Sequence, residues 1–283
     1  MAKRVCLDAG HYAKYNRCPG NASYYESEVM WKLHLLQKKY LEQMGIEVVT
    51  TRAEQTKDLA LTTRGQMAKG CDLFISNHTN AVGGGMNDSI DYVIAYHLTN
   101  DTNTNCDDIS KDFASKIAKV VANTMGAKQG SRIASRLSDT DRNGDGVMND
   151  NYYAVLNGTR SVNVPGIILE HSFHTNSKVV NWLLNDANLD KLAKAEAECI
   201  AKYLGVENNT DNSVPFLIKV DKVEKGDVLN IRKKPSAFAS KTGQLAYNDP
   251  NMYTIVEVQN GWGRLKSGIG WINLYYTKFI RKC

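Results

Sequence analysis

Two histidines and two glutamates in this 283-residue chain stand where a hydrolytic metal site could be built. Three short apolar runs carry three of them: Arg4-Val5-Cys6-Leu7-Asp8-Ala9-Gly10-His11, Asp72-Leu73-Phe74-Ile75-Ser76-Asn77-His78 and Gly166-Ile167-Ile168-Leu169-Glu170. Each reads as a strand ending on a group able to bind or serve a metal. In an open α/β sheet, ligands lie just beyond the carboxyl ends of the strands, so three such endings nominate one site. Two imidazoles and a carboxylate then suggest zinc, which takes nitrogen and oxygen donors.

Hydrolytic zinc uses three protein ligands and keeps its remaining position for water. Glu26 can supply the third. It stands just ahead of a segment whose apolar Val29, Leu33, Leu36, Tyr40 and Leu41 are spaced as one face of a helix ending near Gly45. Three residues before Val29, Glu26 lies on that inward face, whereas Glu28 is rotated away. The expected set is therefore His11, Glu26 and His78 around the metal, with Glu170 left for proton transfer. A carboxylate directly after Gly-Ile-Ile-Leu is costly to bury alone, so a partner for Glu170 is expected. In such a site the metal polarises a scissile carbonyl and lowers the pKa of its water toward about 7. The glutamate accepts the water's proton and later delivers it to the departing amine.

The run Leu7-Asp8-Ala9-Gly10-His11, then Glu26, Thr51-Arg52, Arg64, Ser76-Asn77-His78-Thr79-Asn80-Ala81, and Val164-Pro165-Gly166-Ile167-Ile168-Leu169-Glu170 with Phe173 and Asn176, resembles the zinc-dependent N-acetylmuramoyl-L-alanine amidases of the type 3 family. The resemblance implies an α/β fold with a mixed sheet flanked by helices over residues 1–205. It implies that zinc is held by His11, Glu26 and His78, that Glu170 is the catalytic glutamate, and that the substrate is bacterial peptidoglycan. The bond cleaved would join N-acetylmuramic acid to L-alanine of the stem peptide. Two departures from the family pattern are Tyr12-Ala13-Lys14-Tyr15, where a second glycine-rich step is usual, and His171 and His174, where apolar residues are usual. Two other readings remain open: a zinc peptidase cutting within the stem peptide, and a catalytically inactive wall-binding protein.

The other histidines carry less. His34, one residue past Leu33, reads as a solvated or half-buried helix side chain. His97 closes the strand-like Asp91-Tyr92-Val93-Ile94-Ala95-Tyr96 and could line the crevice. If the chain stays extended beyond Glu170, His174 points to the same side and His171 to the opposite one.

A helical pattern through Leu189, Leu192, Ala193, Ala197, Ile200 and Leu204 ends at Gly205, and residues 206–214 read as a polar linker. Residues 215–283 then read as short strands with glycine turns. Leu229-Asn230-Ile231-Arg232-Lys233-Lys234-Pro235, Gly243-Gln244-Leu245, Asn260-Gly261-Trp262-Gly263-Arg264-Leu265 and Gly268-Ile269-Gly270-Trp271-Ile272 resemble a bacterial SH3 domain. That resemblance implies a second, small all-β SH3-like barrel that binds cell wall. Trp262 and Trp271 read equally as wall-binding aromatics and as core or turn residues, and Tyr247, Tyr253, Tyr275 and Tyr276 are candidate groove aromatics.

A length of 283 residues suggests two domains, and 42% hydrophobic with 23% charged residues is an ordinary globular balance. No run approaches the ~18 apolar residues of a membrane span. Met1-Ala2-Lys3-Arg4 leads straight into the first strand without a secretory signal, so the expected setting is synthesis in the host cytoplasm and release by a holin-type hole, as for a phage or prophage endolysin. The net charge of +5 favours an anionic wall through long-range, salt-sensitive attraction. No basic helix or aromatic-interleaved motif suggests nucleic acid. Self-association is not legible. Six cysteines, at 6, 18, 71, 106, 199 and 283, have no C-x-x-C spacing and read as unpaired thiols. Cys18, in a loop near His11, is a place where oxidation could matter. Asp139-Thr140-Asp141-Arg142-Asn143-Gly144-Asp145-Gly146 resembles the start of an EF-hand loop, but its twelfth position is Asp150 rather than glutamate. It stands between a calcium site at Asp139–Asp150 and a tight solvated turn.

Overall fold

The computed structural model describes residues 3–99, 105–142, 144–206, 214–259 and 261–283. The linker expected at 206–214 falls almost wholly outside them, as do Met1 and Ala2, Asn143 of the calcium-like motif and Asn260 of the SH3-like pattern. The chain forms two compact units, Met1–Glu207 and Asn208–Cys283.

In chain order, the first unit contains β1 (Arg4–Ala9), α1 (Glu26–Gln43), β2 (Glu47–Thr50), α2 (Leu61–Gln66), β3 (Leu73–Asn80), β4 (Val93–His97), α3 (Asn105–Met125), β5 (Ser131–Ala134), α4 (Ala154–Ser161), β6 (Gly166–Phe173), α5 (Ser177–Leu183) and α6 (Asp186–Tyr203). The strands form a six-stranded sheet in the order β2-β1-β3-β6-β4-β5. β4 runs antiparallel to β6, and the other neighbouring pairs are parallel, so the sheet is mixed.

Successive side chains of a strand face opposite ways, and the apolar residues sort by that rule. Val5, Leu7, Leu73, Ile75, Ile167 and Leu169 join the larger core with residues of α1, α3, α5 and α6. Cys6, Phe74 and Ile168 join a smaller core with Val155 and Leu156 of α4. The same parity sends Asp8, Ser76, His78 and Glu170 to the side of the smaller core and Asn77 and His171 to the larger. α2 and α4 are short and cross with backbone nearly touching: a Cβ on Gly158 would lie 2.2 Å from the Thr62 carbonyl oxygen. Their short helices leave room beside the strand ends for a crevice.

Three expectations are corrected. His78 and Glu170 do not end their strands, because β3 and β6 continue pairing to Asn80 and Phe173 across a β-bulge. His34 is buried, since α1 is covered by both the sheet and α6, and its Nδ1 bonds the Trp31 carbonyl at 2.5 Å. Burial pushes the His34 pKa down to about 4, despite that hydrogen bond. Cys18 is buried as well, with Sγ 3.7 Å from Met86 Sδ, so its loop gives no access for oxidation. All six cysteines are unpaired.

The second unit is a seven-stranded, all-antiparallel sheet of β7 (Phe216–Val220), β8 (Val228–Arg232), β9 (Lys241–Ala246), β10 (Met252–Gln259), β11 (Trp262–Leu265), β12 (Trp271–Asn273) and β13 (Thr277–Lys282), ordered β13-β7-β10-β11-β12-β8-β9. Phe216, Ile218, Leu229, Ile231, Ile255, Leu265 and Ile272 form its core. Trp271 is buried and Trp262 half-buried. Tyr253 packs against the core and bonds Asp249 at 2.8 Å, whereas Tyr247, Tyr275 and Tyr276 are exposed.

Candidate metal centre

His11, Glu26 and His78 come together from three separate elements, with one ligand atom of each within 4.8 Å of the others. His11 lies two residues beyond β1 in a left-handed conformation (φ 59°). Gly10 precedes it with no room for a side chain, since a Cβ there would sit 2.4 Å from His78 Cε1. The Gly10 amide also donates to the Asn77 carbonyl at 2.9 Å, tying the loop to β3. Glu26 opens α1 and is buried; its Oε1 lies 2.8 Å from His78 Nδ1 and 3.4 Å from His11 Nε2, and accepts from the Thr79 amide at 3.1 Å. The side-chain amide of Asn16 is 2.7 Å from Glu26 Oε2 and 3.0 Å from His11 Nε2.

Burial alone would raise the Glu26 pKa, but hydrogen bonds from His11 and His78 outweigh it and hold the carboxyl well below the usual range. For His78, burial acts downward and is overcome by the hydrogen bond and charge of Glu26, which carry its pKa up to about 9. Glu170 is the Cα partner of His78 on the neighbouring strand. Its Oε2 is buried with no hydrogen-bond partner among the described residues, contrary to the partner expected. Burial raises the Glu170 pKa to about 7, against the opposing charge of His78. A carboxyl poised near neutrality with an uncommitted oxygen is suited to moving protons.

The supporting residues were quoted in the sequence motif, but their roles emerge only from contacts. Arg64 is buried and donates to Asp8, to the carbonyls of Ala9 and His11, and to Asp58. Arg52 donates to the Ala9 carbonyl at 2.7 Å. Asp8 in turn accepts from Thr51 at 2.5 Å and Ser76 at 2.6 Å. Two guanidiniums thus fasten the end of β1 and the backbone of His11. No spacing rule reveals these contacts, because, Asp58 apart, their partners lie 43 to 68 residues away in the chain.

On the opposite face, His171 Nε2 is 2.7 Å from Glu196 Oε1 and its Nδ1 is 2.9 Å from the His78 carbonyl. Gln37 bonds both Glu196 Oε2, at 2.5 Å, and Asn77. Burial pulls the His171 pKa down, but Glu196 outweighs it and raises the pKa above its ordinary value. The extended geometry assumed past Glu170 fails at Ser172, which is left-handed (φ 58°) within the bulge. His174 nevertheless lines the crevice, with Nδ1 3.0 Å from Thr79 Oγ1 and 3.8 Å from Glu26 Oε2. His97 is not among the lining residues, and its Nδ1 bonds the Leu98 carbonyl.

The crevice has a volume of about 860 Å³. His11, Glu26, His78 and Glu170 line it together with two aromatic groups: Tyr12 with Tyr15, which in the sequence stand out only as a departure from the family pattern, and Tyr152 with Tyr153. Tyr15 stacks on His11 at 4.7 Å. In the calcium-like loop, Asp141 accepts from the Gly144 and Gly146 amides and Asp145 from Val147, so these carboxylates shape a turn. Calcium there gains no support. Among the described residues, His11, Glu26 and His78 are the one group of three or more His, Cys, Asp or Glu placed to share an ion.

A family model described as N-acetylmuramoyl-L-alanine amidase matches residues 5–202. Among solved structures, the catalytic domain of CwlV, an N-acetylmuramoyl-L-alanine amidase from Bacillus (Paenibacillus) polymyxa var. colistinus, is 25% identical, with a TM-score of 0.56 over 72% of this chain and 99% of that one. Cwp6 from Clostridium difficile is 27% identical, with a TM-score of 0.58 over 72% of this chain and 30% of that one. The N-acetylmuramoyl-L-alanine amidase from Clostridium difficile 630 is 22% identical and shares the fold, with a TM-score of 0.57 over 73% of this chain and 99% of that one. No curated protein sequence matches the chain.

Proposed function

The chain belongs to the N-acetylmuramoyl-L-alanine amidase family, and from that premise we propose that it hydrolyses the bond between N-acetylmuramic acid and L-alanine in peptidoglycan, with zinc held by His11, Glu26 and His78. The observation that carries the zinc assignment is the convergence of two imidazoles and one carboxylate within 4.8 Å, a donor set suited to zinc with a position left for water. When bound, zinc supplies Lewis acidity toward the scissile carbonyl and makes water more acidic.

The remaining chemistry belongs to the protein's own groups. Glu170, with its free Oε2 and a pKa near 7, takes the proton of the attacking water and returns it to the alanine nitrogen as the amide bond breaks. Bond cleavage leaves the lactyl carboxylate on the sugar and a free amine on the peptide. Asn16 and the Thr79 amide hold the carboxylate of Glu26, and Arg52 and Arg64 hold the His11 loop. His174, beside Thr79 and Glu26, is placed to contact substrate.

The second unit completes the reading as an SH3-like module that holds the enzyme to the wall. Support comes from its antiparallel sheet, exposed Tyr247, Tyr275 and Tyr276, and twelve Lys or Arg against five Asp or Glu in residues 214–283. Such a basic module favours an anionic polymer. The endolysin role extends this reading: lysis from inside a host would need a holin-type hole. Among the described residues, no helix is long and apolar enough to cross a membrane.

Mass spectrometry of fragments released from purified walls tests the activity. Intact stem peptides with a free alanine amine are expected, abolished by chelator and restored by zinc. Cleavage inside the stem peptide would instead establish a peptidase, and intact walls would leave a binding protein. Co-expression with and without a holin, scored by culture lysis, tests the endolysin role.

A further inference from the structure

The crevice carries two guanidinium groups among its described lining residues, and they differ in what they have left to give. All three nitrogens of Arg64 donate to protein oxygens. Among the described residues, the exposed Arg142 side chain donates only through Nε, to Ser138 at 2.8 Å, and both terminal nitrogens remain uncommitted. The acidic side chains facing that space include Glu26, paired with His78, Asp58, paired with Arg64, and Glu170.

Arg142 is also held in place. Its backbone amide donates to Asp150 Oδ2 at 2.6 Å, and the base of the loop is closed by Ser138 to Asp150 and Tyr152 to Arg136 backbone bonds, both 2.8 Å. Tyr152 lies beneath it, with the guanidinium carbons of Arg142 and Arg136 at 5.6 Å and 3.4 Å from its ring. The loop that carries Asp141 and Asp145 therefore presents the Arg142 cation at the crevice.

We propose that Arg142 is a specificity-determining residue that binds a carboxylate of the stem peptide while the muramoyl-alanine bond lies at Glu170. This rests on the amidase reading given above. A guanidinium with two free nitrogens can take a carboxylate through paired, charge-assisted hydrogen bonds, which an amide in the same position cannot match. The first free carboxylate after L-alanine belongs to the glutamate that follows, one residue from the scissile bond. When that carboxylate is amidated, the interaction is lost.

The experiment compares kcat/KM for two soluble substrates, muramoyl-L-alanyl-D-glutamate with its γ-carboxyl capped as the methylamide and the same compound with its α-carboxylate amidated as well. The zinc-loaded full chain and its Arg142→Gln and Arg142→Lys variants are each measured, with zinc content as the check on the metal site. The wild-type protein is expected to favour the acid by roughly tenfold, the effect of one charged hydrogen-bonded contact. Arg142→Gln should lose that preference through the acid alone, with zinc content unchanged, and Arg142→Lys should restore part of it. A wild-type protein indifferent to the two substrates, or an Arg142→Gln variant that keeps the preference or loses both activities equally, would overturn the proposal. A wild-type protein that cleaves neither overturns the amidase reading itself, and the assignment of Arg142 with it.

Discussion

His78 and Glu170 are Cα partners on adjacent parallel strands, so the imidazole facing Glu26 and the carboxylate with an uncommitted oxygen project from the same side of the sheet. Register therefore does what a loop could not, since backbone hydrogen bonds on both strands fix the separation of the two groups.

Replacing Glu170 by Gln keeps the shape and removes the proton acceptor. Wall hydrolysis should fall by about 10²–10⁴-fold, the usual contribution of a general base, while bound zinc stays near one per catalytic unit. Undiminished turbidity loss by the Glu170→Gln protein would remove Glu170 from the mechanism.

The Gly10→Ala change acts at a distance of one methyl group. Its Cβ would meet His78 Cε1 at 2.4 Å and the Asn77 carbonyl oxygen at 2.7 Å, so the imidazole must shift. Zinc affinity, read by competition with a chromophoric chelator, should drop on the order of 10–100-fold, as for other changes that misorient a ligand. An unaltered affinity would mean the loop relaxes without moving His78.

The His171–Glu196 pair is fully buried, and Glu196→Gln leaves an imidazolium with no compensating charge. Denaturant titration near pH 6 should show a loss of about 3–5 kcal/mol. The sign of the pH dependence follows from the raised His171 pKa. Its stabilisation is fully present below the unfolded value of 6.5 and fades as pH rises through the higher folded value. The difference between wild-type and Glu196→Gln stabilities should therefore shrink on the alkaline side. A difference independent of pH would mean the pair is not ionised.

His34 behaves in the opposite sense. With its pKa lowered to about 4 from 6.5, it contributes stability that is complete above pH 6.5 and is lost as pH falls toward 4. The loss amounts to about 3 kcal/mol at most, from the size of the shift. A His34→Gln variant should have a flatter acid limb in urea titrations between those values. An acid limb as steep as wild type would place the responsible group elsewhere.

Much of the fold was legible because apolar side chains repeat with the period of the element they build. Leu73, Phe74 and Ile75 before Ser76-Asn77-His78 make a buried strand whatever surrounds them, and Val29, Leu33 and Leu41 define a helix face. The buried polar residues escaped that logic. His34 and Gln37 face inward because α1 is covered on more than one side, which periodicity on a single helix does not register.

By itself, the sequence determined which residue types are available for metal and proton chemistry, the three strands that lead to His11, His78 and Glu170, and the helix faces that follow Glu26 and precede Gly205. These follow from local propensity and hydrophobic period. Only the tertiary structure decided that Gly10 must yield its side-chain space to His78, that Arg52 and Arg64 grip the His11 loop, that Ser172 bends β6, and that Arg142 reaches the crevice. Each of those depends on groups distant in sequence brought within hydrogen-bonding or van der Waals range, and such distances exist only once the sheet has assembled.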